Sequence, residues 1–281
     1  MLKILQISDL HFGPFHWNGD DELLIEKINS YNVDLVIDTG DSTSDGLERE
    51  YFQAKTFLKK IECKNLVSII GNHDKRSRSS VEFFKKYISN PDVIYPDNDE
   101  ETRKRHLFLN SKMKLKERFT DINFIKRITI HGEKILIIGL DSNTLYSDDG
   151  FIEEAILNSI SKTLSNDTYD LKLLLIHHSI LATDGCPLIN SQRVIDFVCY
   201  NKIDFVFCGH THELDFREIK DIVNQHQFFQ FMCGSTSSND LGAYGKNVFI
   251  LYEIENNKNF TIYLINIFYK NNHLTFKRER I

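Results

Sequence analysis

The sequence predicts an α/β fold built around buried, largely parallel strands. Short apolar runs recur along the chain, helix-like segments separate the early ones, and the last fifty or so residues turn β-rich. Leu2, Ile4, Leu5 and Ile7 form the first run, an apolar strand at the chain start. "DDELLIEKINS" (20–30) reads as a helix with Asp20 or Asp21 as its cap, and "VDLVID" (33–38) as the second strand. "GLEREYFQAKTFLKKIE" (46–62) has the spacing of an amphipathic helix, and "LVSII" (66–70) is the third strand. Strands follow at 134–140, 171–176 and 204–208, with helices near 151–164 and 190–200. From about Gln227, "QFFQFMC", "NVFILYEI", "FTIYLINIFY" and "LTFKRER" read as strands joined by short polar turns. With no internal repeat or low-complexity linker, residues 1–281 are expected to form one domain.

Residues 91–127 break the alternation. This segment opens acidic, with Asp92, Asp97, Asp99, Glu100 and Glu101, and turns basic from Arg103 to Arg127. A solvated, partly helical excursion is the plainer expectation for such a charge run, and an anion-attracting cap over a site is the functional one. The formal net charge of -6 argues against a chain that coats nucleic acid or an anionic membrane by bulk charge. The basic part of the excursion keeps a nucleic-acid substrate open. Five cysteines, an odd number without a Cys-x-x-Cys pair, suit reduced thiols better than a disulfide framework. No apolar run approaches the roughly 20 residues needed to span a bilayer, and Met1 leads straight into a strand, so a cytoplasmic protein is expected.

Chemistry-bearing residues stand where the strands end. Asp9 and His11 follow the first strand, and as positions i and i+2 of an extended segment they are expected to point to one side. Asp41 follows the second strand, after a glycine. The third runs into Asn72, His73 and Asp74, "LLLIHHS" ends in His177 and His178, and "FVFCGHTH" ends in His210 and His212. Sites in open α/β sheets form where the carboxyl ends of strands meet. One such Asp-x-His is unremarkable and a lone His is usually a satisfied core residue, as expected of His131 and His273. Five strand ends of this kind gather ionisable groups that need compensation, and divalent cations supply it. Carboxylates, imidazoles and one amide carbonyl, without thiolate, suit Mn, Fe or Zn. The donors are too many for one tetrahedral ion. Two ions are therefore expected, and paired ions of this kind activate water and clamp a phosphoryl group.

The ordered set Asp9-Leu-His11, Gly40-Asp41, Gly71-Asn72-His73-Asp74, His177 and Gly209-His210-Thr211-His212 resembles the calcineurin-like metallophosphoesterases. "GNHDKR" and "GHTH" look most like the cyclic-nucleotide-phosphodiesterase-like branch. The protein Ser/Thr phosphatases of the superfamily carry Gly-Asn-His-Glu instead. The resemblance implies a four-layered α/β/β/α sandwich of two mixed sheets with helices on the outer faces. It implies that Asp9, His11 and His212 hold one metal and Asn72, His177 and His210 the other, with Asp41 bridging beside a hydroxide that attacks phosphorus in line. It further implies that His73 contacts the phosphate and assists the leaving oxygen, with Asp74 orienting its ring, and that His178 stands behind the ligands or faces the substrate. "GLDSN" (139–143) resembles a strand ending near the site without a catalytic part. The implied activity is metal-dependent phosphoester hydrolysis, phosphodiesters before monoesters. A nuclease on the same site or a non-catalytic scaffold of the same fold are the alternatives. Phe12, Phe15, His16, Trp17 and the loop around Asp184–Pro187 are candidate pocket walls, with His16 and Trp17 equally readable as ordinary loop residues.

Overall fold

The computed structural model describes residues 1–96, 122–164, 168–181, 186–256, 259–270 and 273–281. In chain order the elements begin β1 (Leu2–Ile7), α1 (Asp21–Asn29), β2 (Leu35–Asp38), α2 (Glu48–Leu58), β3 (Leu66–Ser68), a short 3-10 turn (His73–Lys75) and α3 (Ser80–Tyr87). After the excursion come β4 (Phe124–Ile130), β5 (Glu133–Leu140), α4 (Glu154–Leu164), β6 (Leu171–Ile176), α5 (Ser191–Asn201) and β7 (Phe205–Cys208). The chain closes with β8 (Asp215–Asp221), β9 (His226–Met232), β10 (Asn247–Asn256), β11 (Asn259–Lys270) and β12 (His273–Arg280).

Two mixed sheets result, ordered β12-β11-β10-β1-β2-β3 and β4-β5-β6-β7-β9-β8. β1, β2 and β3 run parallel in the first sheet, whose other half is antiparallel. β5, β6, β7 and β9 run parallel in the second, flanked by antiparallel β4 and β8.

Period-two alternation explains the layering. Leu2 and Ile4 of β1, Leu35 and Ile37 of β2, and Leu173 and Leu175 of β6 meet Phe205, Phe207 and Phe231 in one core between the sheets. The opposite faces are covered by helices. Leu5, Ile7 and Val36 pack on Leu24, Ile28, Tyr51, Phe57 and Phe84 from α1, α2 and α3. Leu174, Ile176 and Val206 pack on Ile156, Ile160, Val194 and Phe197 from α4 and α5. Strands covered on both faces read as continuous apolar runs, which is why the sequence shows them so clearly. α1 starts where expected, because the Asp20 side chain accepts from the Glu22 and Leu23 N–H groups.

Three elements depart from the sequence reading. α3 escaped it. β8, a charged edge strand whose residues are half-buried or exposed, carries no apolar run. β4 begins inside the segment read as a charged excursion and runs past its end: Lys126 and Arg127 are strand residues, and Lys126 Nζ donates to the Pro91 carbonyl at 2.5 Å. Residues 97–121, the body of that excursion, lie outside the described residues, as does the 182–185 part of the expected wall loop. The β-rich tail also divides, with β9 joining the second sheet and β10–β12 the first. Among the described residues, no helix is long and apolar enough to cross a membrane.

Candidate metal centre

The carboxyl ends of β1, β2 and β3 in one sheet face those of β6 and β7 in the other, and the expected residues converge there. Asp9, His11, Asp41, Asn72, His177 and His212 are buried. The pair Asp9 and His11 does not converge by strand alternation, because β1 has already ended at Ile7. Instead Asp9 (φ 54°), His11 (φ 51°), Asp41 (φ 55°), His210 (φ 79°) and His212 (φ 57°) all take left-handed backbone conformations. Such conformations cost non-glycine residues energy and concentrate at functional sites. Hydrogen bonds from Asp9 N to Gly40 O and from His11 N to Asp41 O, both 2.9 Å, lock the two turns together. Gly71 permits the approach: a Cβ there would stand 2.1 Å from Asp41 Oδ1.

Each carboxylate has one satisfied oxygen and one inward oxygen. Asp41 Oδ1 accepts from His73 N at 2.8 Å, and Asp9 Oδ2 accepts from Ser8 Oγ and from His210 N. Asp9 Oδ1 and Asp41 Oδ2, both buried, find no hydrogen-bond partner among the described residues, and neither does His11 Nδ1. Around the inward oxygens lie His212 Nε2, 3.4 Å from Asp9 Oδ1, His177 Nε2, 3.3 Å from Asp41 Oδ2, and His11 Nε2, 3.8 Å from both oxygens.

The imidazoles are oriented from behind. His177 Nδ1 donates to Thr39 O at 2.7 Å and His212 Nδ1 to Asp240 O at 2.9 Å, which leaves each Nε2 turned inward. His11 Nε2 and His212 Nε2 then face each other at 3.0 Å, while Asn72 Oδ1 faces His177 Nε2 and His210 Nδ1 at 2.9 Å each. Lone pairs opposed at such distances need a cation between them, a proton or a metal ion. Burial disfavours charge on His177, but Asp41 outweighs it and holds the imidazolium up to about 10. For His212, burial is outweighed by Asp9, and the group rises to about 9. Burial pushes His11 and His210 down to about 4. Burial would raise Asp9 and Asp41, yet their histidine neighbours keep both below the usual carboxylate range. Among the described residues, three triplets have donor atoms within 4.8 Å of one another: Asp9, His11 and His212; Asp41, His177 and His210; and His11, Asp41 and His73. Hard oxygen and imidazole donors with orphaned buried oxygens fit divalent metal ions.

The remaining expected residues behave differently. His73 is half-buried at the rim, its Nδ1 donating to Ser44 O at 2.8 Å and its Nε2 3.0 Å from Arg76. The expectation that Asp74 orients this ring is corrected. Asp74 is fully buried, and its carboxylate accepts from Gly71 N, Ser42 N, Thr43 N and Thr43 Oγ1; the Ser44 carbonyl fixes the ring instead. His178 is buried with both ring nitrogens engaged, Nδ1 by Ser142 Oγ at 2.7 Å and Nε2 by Asp148 O at 2.9 Å. It packs against His177 and His210. Of the expected walls, Phe12 and Trp17 are buried and His16 is tied to Leu10 O and Asp21. Phe15 stands at the rim, edge-on to His73 at 5.7 Å.

Sequence reasoning missed Ser44, Arg76, Asp141 and Asp148. Ser44 Oγ donates to His11 O and accepts from Phe15 N. Lys75 Nζ, fully buried, reaches Asp141 Oδ2 at 2.6 Å and Asn143 O at 2.9 Å, joining the turn after β3 to the end of β5. Arg76 lies in "GNHDKR" and Asp141 in "GLDSN", so a spacing signal existed for both. Asp148 sits in a turn with none.

Comparison with known proteins identifies a family and a fold. The family model described as calcineurin-like phosphoesterase matches residues 2–214. A probable cyclic nucleotide phosphodiesterase of Coxiella burnetii is 23% identical over 224 residues, covering 75% of this chain and 76% of that protein. A probable glycerophosphodiester phosphodiesterase GpdQ of Arcobacter nitrofigilis is 28% identical over 228 residues, covering 75% and 72%. Among solved structures, the 5'-nucleotidase of Candida albicans matches with a TM-score of 0.55 at 15% identity, over 94% of this chain and 52% of that one. The NAD nucleotidase NadN of Haemophilus influenzae matches with a TM-score of 0.53 at 18% identity, over 99% and 49%. This chain thus spans about half the length of either nucleotidase, and the likeness is one of fold. By the family match and the fold, the chain belongs to the calcineurin-like phosphoesterases.

Proposed function

We propose that this protein is a two-metal phosphoester hydrolase acting on phosphodiesters. The observation that carries the reading is the pair of buried, unpartnered oxygens, Asp9 Oδ1 and Asp41 Oδ2, each ringed by imidazole nitrogens. Asp9, His11 and His212 would hold one ion, and Asn72, His177 and His210 the other. Asp41 would touch both, since its Oδ2 lies between His11 Nε2 and His177 Nε2. Mn, Fe and Zn all suit these donors. Such ions, when bound, supply Lewis acidity to phosphoryl oxygens and make water acidic enough to attack near neutral pH.

The chain's own residues do the rest. Thr39 O and Asp240 O hold His177 and His212 in the tautomer that turns Nε2 inward. His73 keeps its Nδ1 proton on Ser44 O, so Nε2 is the ring atom that would meet the departing ester oxygen. Phe15 beside it offers an aromatic edge to the leaving group. The names of the Coxiella and Arcobacter relatives support a diester; the donor set itself serves monoesters and diesters alike.

The test is turnover of a chromogenic phosphodiester and the matching monoester after stripping and reloading with Mn²⁺, Fe²⁺ or Zn²⁺, with Asp41→Asn as control. Metal-dependent turnover of the diester, faster than of the monoester and lost in the variant, is expected. Faster monoester turnover would make the protein a phosphomonoesterase. Two bound ions without turnover of either ester would mean a pocket selecting a narrower substrate, and no bound metal would favour a non-catalytic scaffold.

A further inference from the structure

We infer that Asp148 is the positioning residue that fixes which end of the Asn72 amide faces the metal centre. This inference rests on the two-ion reading above. An asparagine amide offers a carbonyl oxygen at one end and two N–H donors at the other, and only the oxygen ligates a cation. Asn72 Nδ2 donates to Asp148 Oδ1 at 2.8 Å. That carboxylate oxygen also accepts from Arg76, so it meets the amide as an acceptor and engages the N–H end. With that end held, Oδ1 must face His177 Nε2 and His210 Nδ1, 2.9 Å from each. Arg76 reaches the Asp148 oxygen at 2.9 Å.

The surrounding segment explains how a residue on the turn before α4 can hold a residue on the turn after β3. Asn143 Nδ2 donates to Ile70 O at 2.7 Å, and Tyr146 N donates to Lys75 O at 3.3 Å. Together with the Lys75–Asp141 pair, these contacts clasp residues 141–148 against 70–76 across the two sheets. Asp148 also anchors His178 through its backbone carbonyl, a contact that side-chain replacement leaves in place. The Asp148 carboxylate reaches the centre through Asn72, so its effect is confined to one of the two ions.

The experiment is titration of the metal-stripped protein with Mn²⁺ alone, reading the affinity of each ion without any substrate. Asp148→Leu removes the acceptor and the shorter Asp148→Ser withdraws it from the Asn72 amide, at a side chain about half exposed (51%), so the fold tolerates either. The expected result is two ions in the wild type, and in both variants one ion held as before with the second weakened about 10- to 100-fold. Asp148→Asn, which keeps an oxygen for the amide to meet, is expected to restore the second ion to near wild-type affinity. Arg76→Met removes the other partner of Asp148 and is expected to leave both ions in place. Undiminished second-ion binding in Asp148→Leu and Asp148→Ser overturns the inference, as does an equal loss in Arg76→Met. A wild type that takes up fewer than two Mn²⁺ overturns the two-ion reading itself, and this inference with it.

Discussion

Asp41 Oδ2 lies 3.3 Å from His177 Nε2 although the two residues end strands of different sheets. The centre is therefore a seam: β1, β2 and β3 bring Asp9, His11, Asp41 and Asn72, while β6 and β7 bring His177, His210 and His212. Neither sheet alone carries the proposed donor set, so the packing of the sheets is a condition of the proposed chemistry.

The buried Lys75–Asp141 ion pair crosses that seam, with both side chains essentially inaccessible (0% and 1%). Removing one partner leaves the other charge buried and uncompensated, so Lys75→Met is expected to cost about 3–5 kcal/mol. The double variant Lys75→Met, Asp141→Asn leaves neither charge and is expected to recover part of that loss. Urea unfolding at neutral pH measures both, and a double variant less stable than Lys75→Met contradicts this role for the pair.

Asp38, at the end of β2, is fully buried, and burial raises its carboxyl from the ordinary 3.8 to about 7. Gly40 N and Ser42 Oγ donate to it without reversing the shift. Between those two pH values the folded chain holds a proton that the unfolded chain has lost. Stability from this group is present below about pH 4 and is lost as pH rises towards 7, on the order of 1.4 kcal/mol per unit. Asp38→Asn mimics the protonated carboxyl and removes that slope. Unfolding of metal-stripped protein at pH 5 and pH 7 is expected to show the variant gaining on the wild type, whereas parallel behaviour contradicts the shift.

His73 belongs to one of the three possible donor triplets, yet the proposed mechanism keeps it off the metals and on the leaving group. His73→Gln is accordingly expected to lower kcat for the diester by about 10²- to 10⁴-fold while Mn²⁺ uptake stays at two ions. Loss of an ion in this variant would move His73 into the ligand set.

Much of this was legible in the sequence because buried parallel strands are continuous apolar runs, and each run stops at a polar residue. Asp9, Asp41, His177 and His210 declared themselves in that way. How they converge was not legible, since alternation along a strand does not foresee the left-handed turns at Asp9 and His11. The Asp74 expectation failed for a related reason: a carboxylate beside a histidine in sequence points elsewhere when its oxygens are consumed by four donors of its own surroundings. β8 was hidden by its surface charge, β4 by the Lys126–Arg127 pair at its centre, and Asp148 by lying in a turn whose residues follow no period.

Anomalous diffraction from Mn²⁺-loaded crystals tests most directly whether Asp41 joins two adjacent ions. Two peaks about 3.5–4 Å apart are expected. One should contact Asp9, His11 and His212, the other Asn72, His177 and His210, with Asp41 between them. A single peak, or a peak ligated by His73 in place of Asn72, would contradict that arrangement.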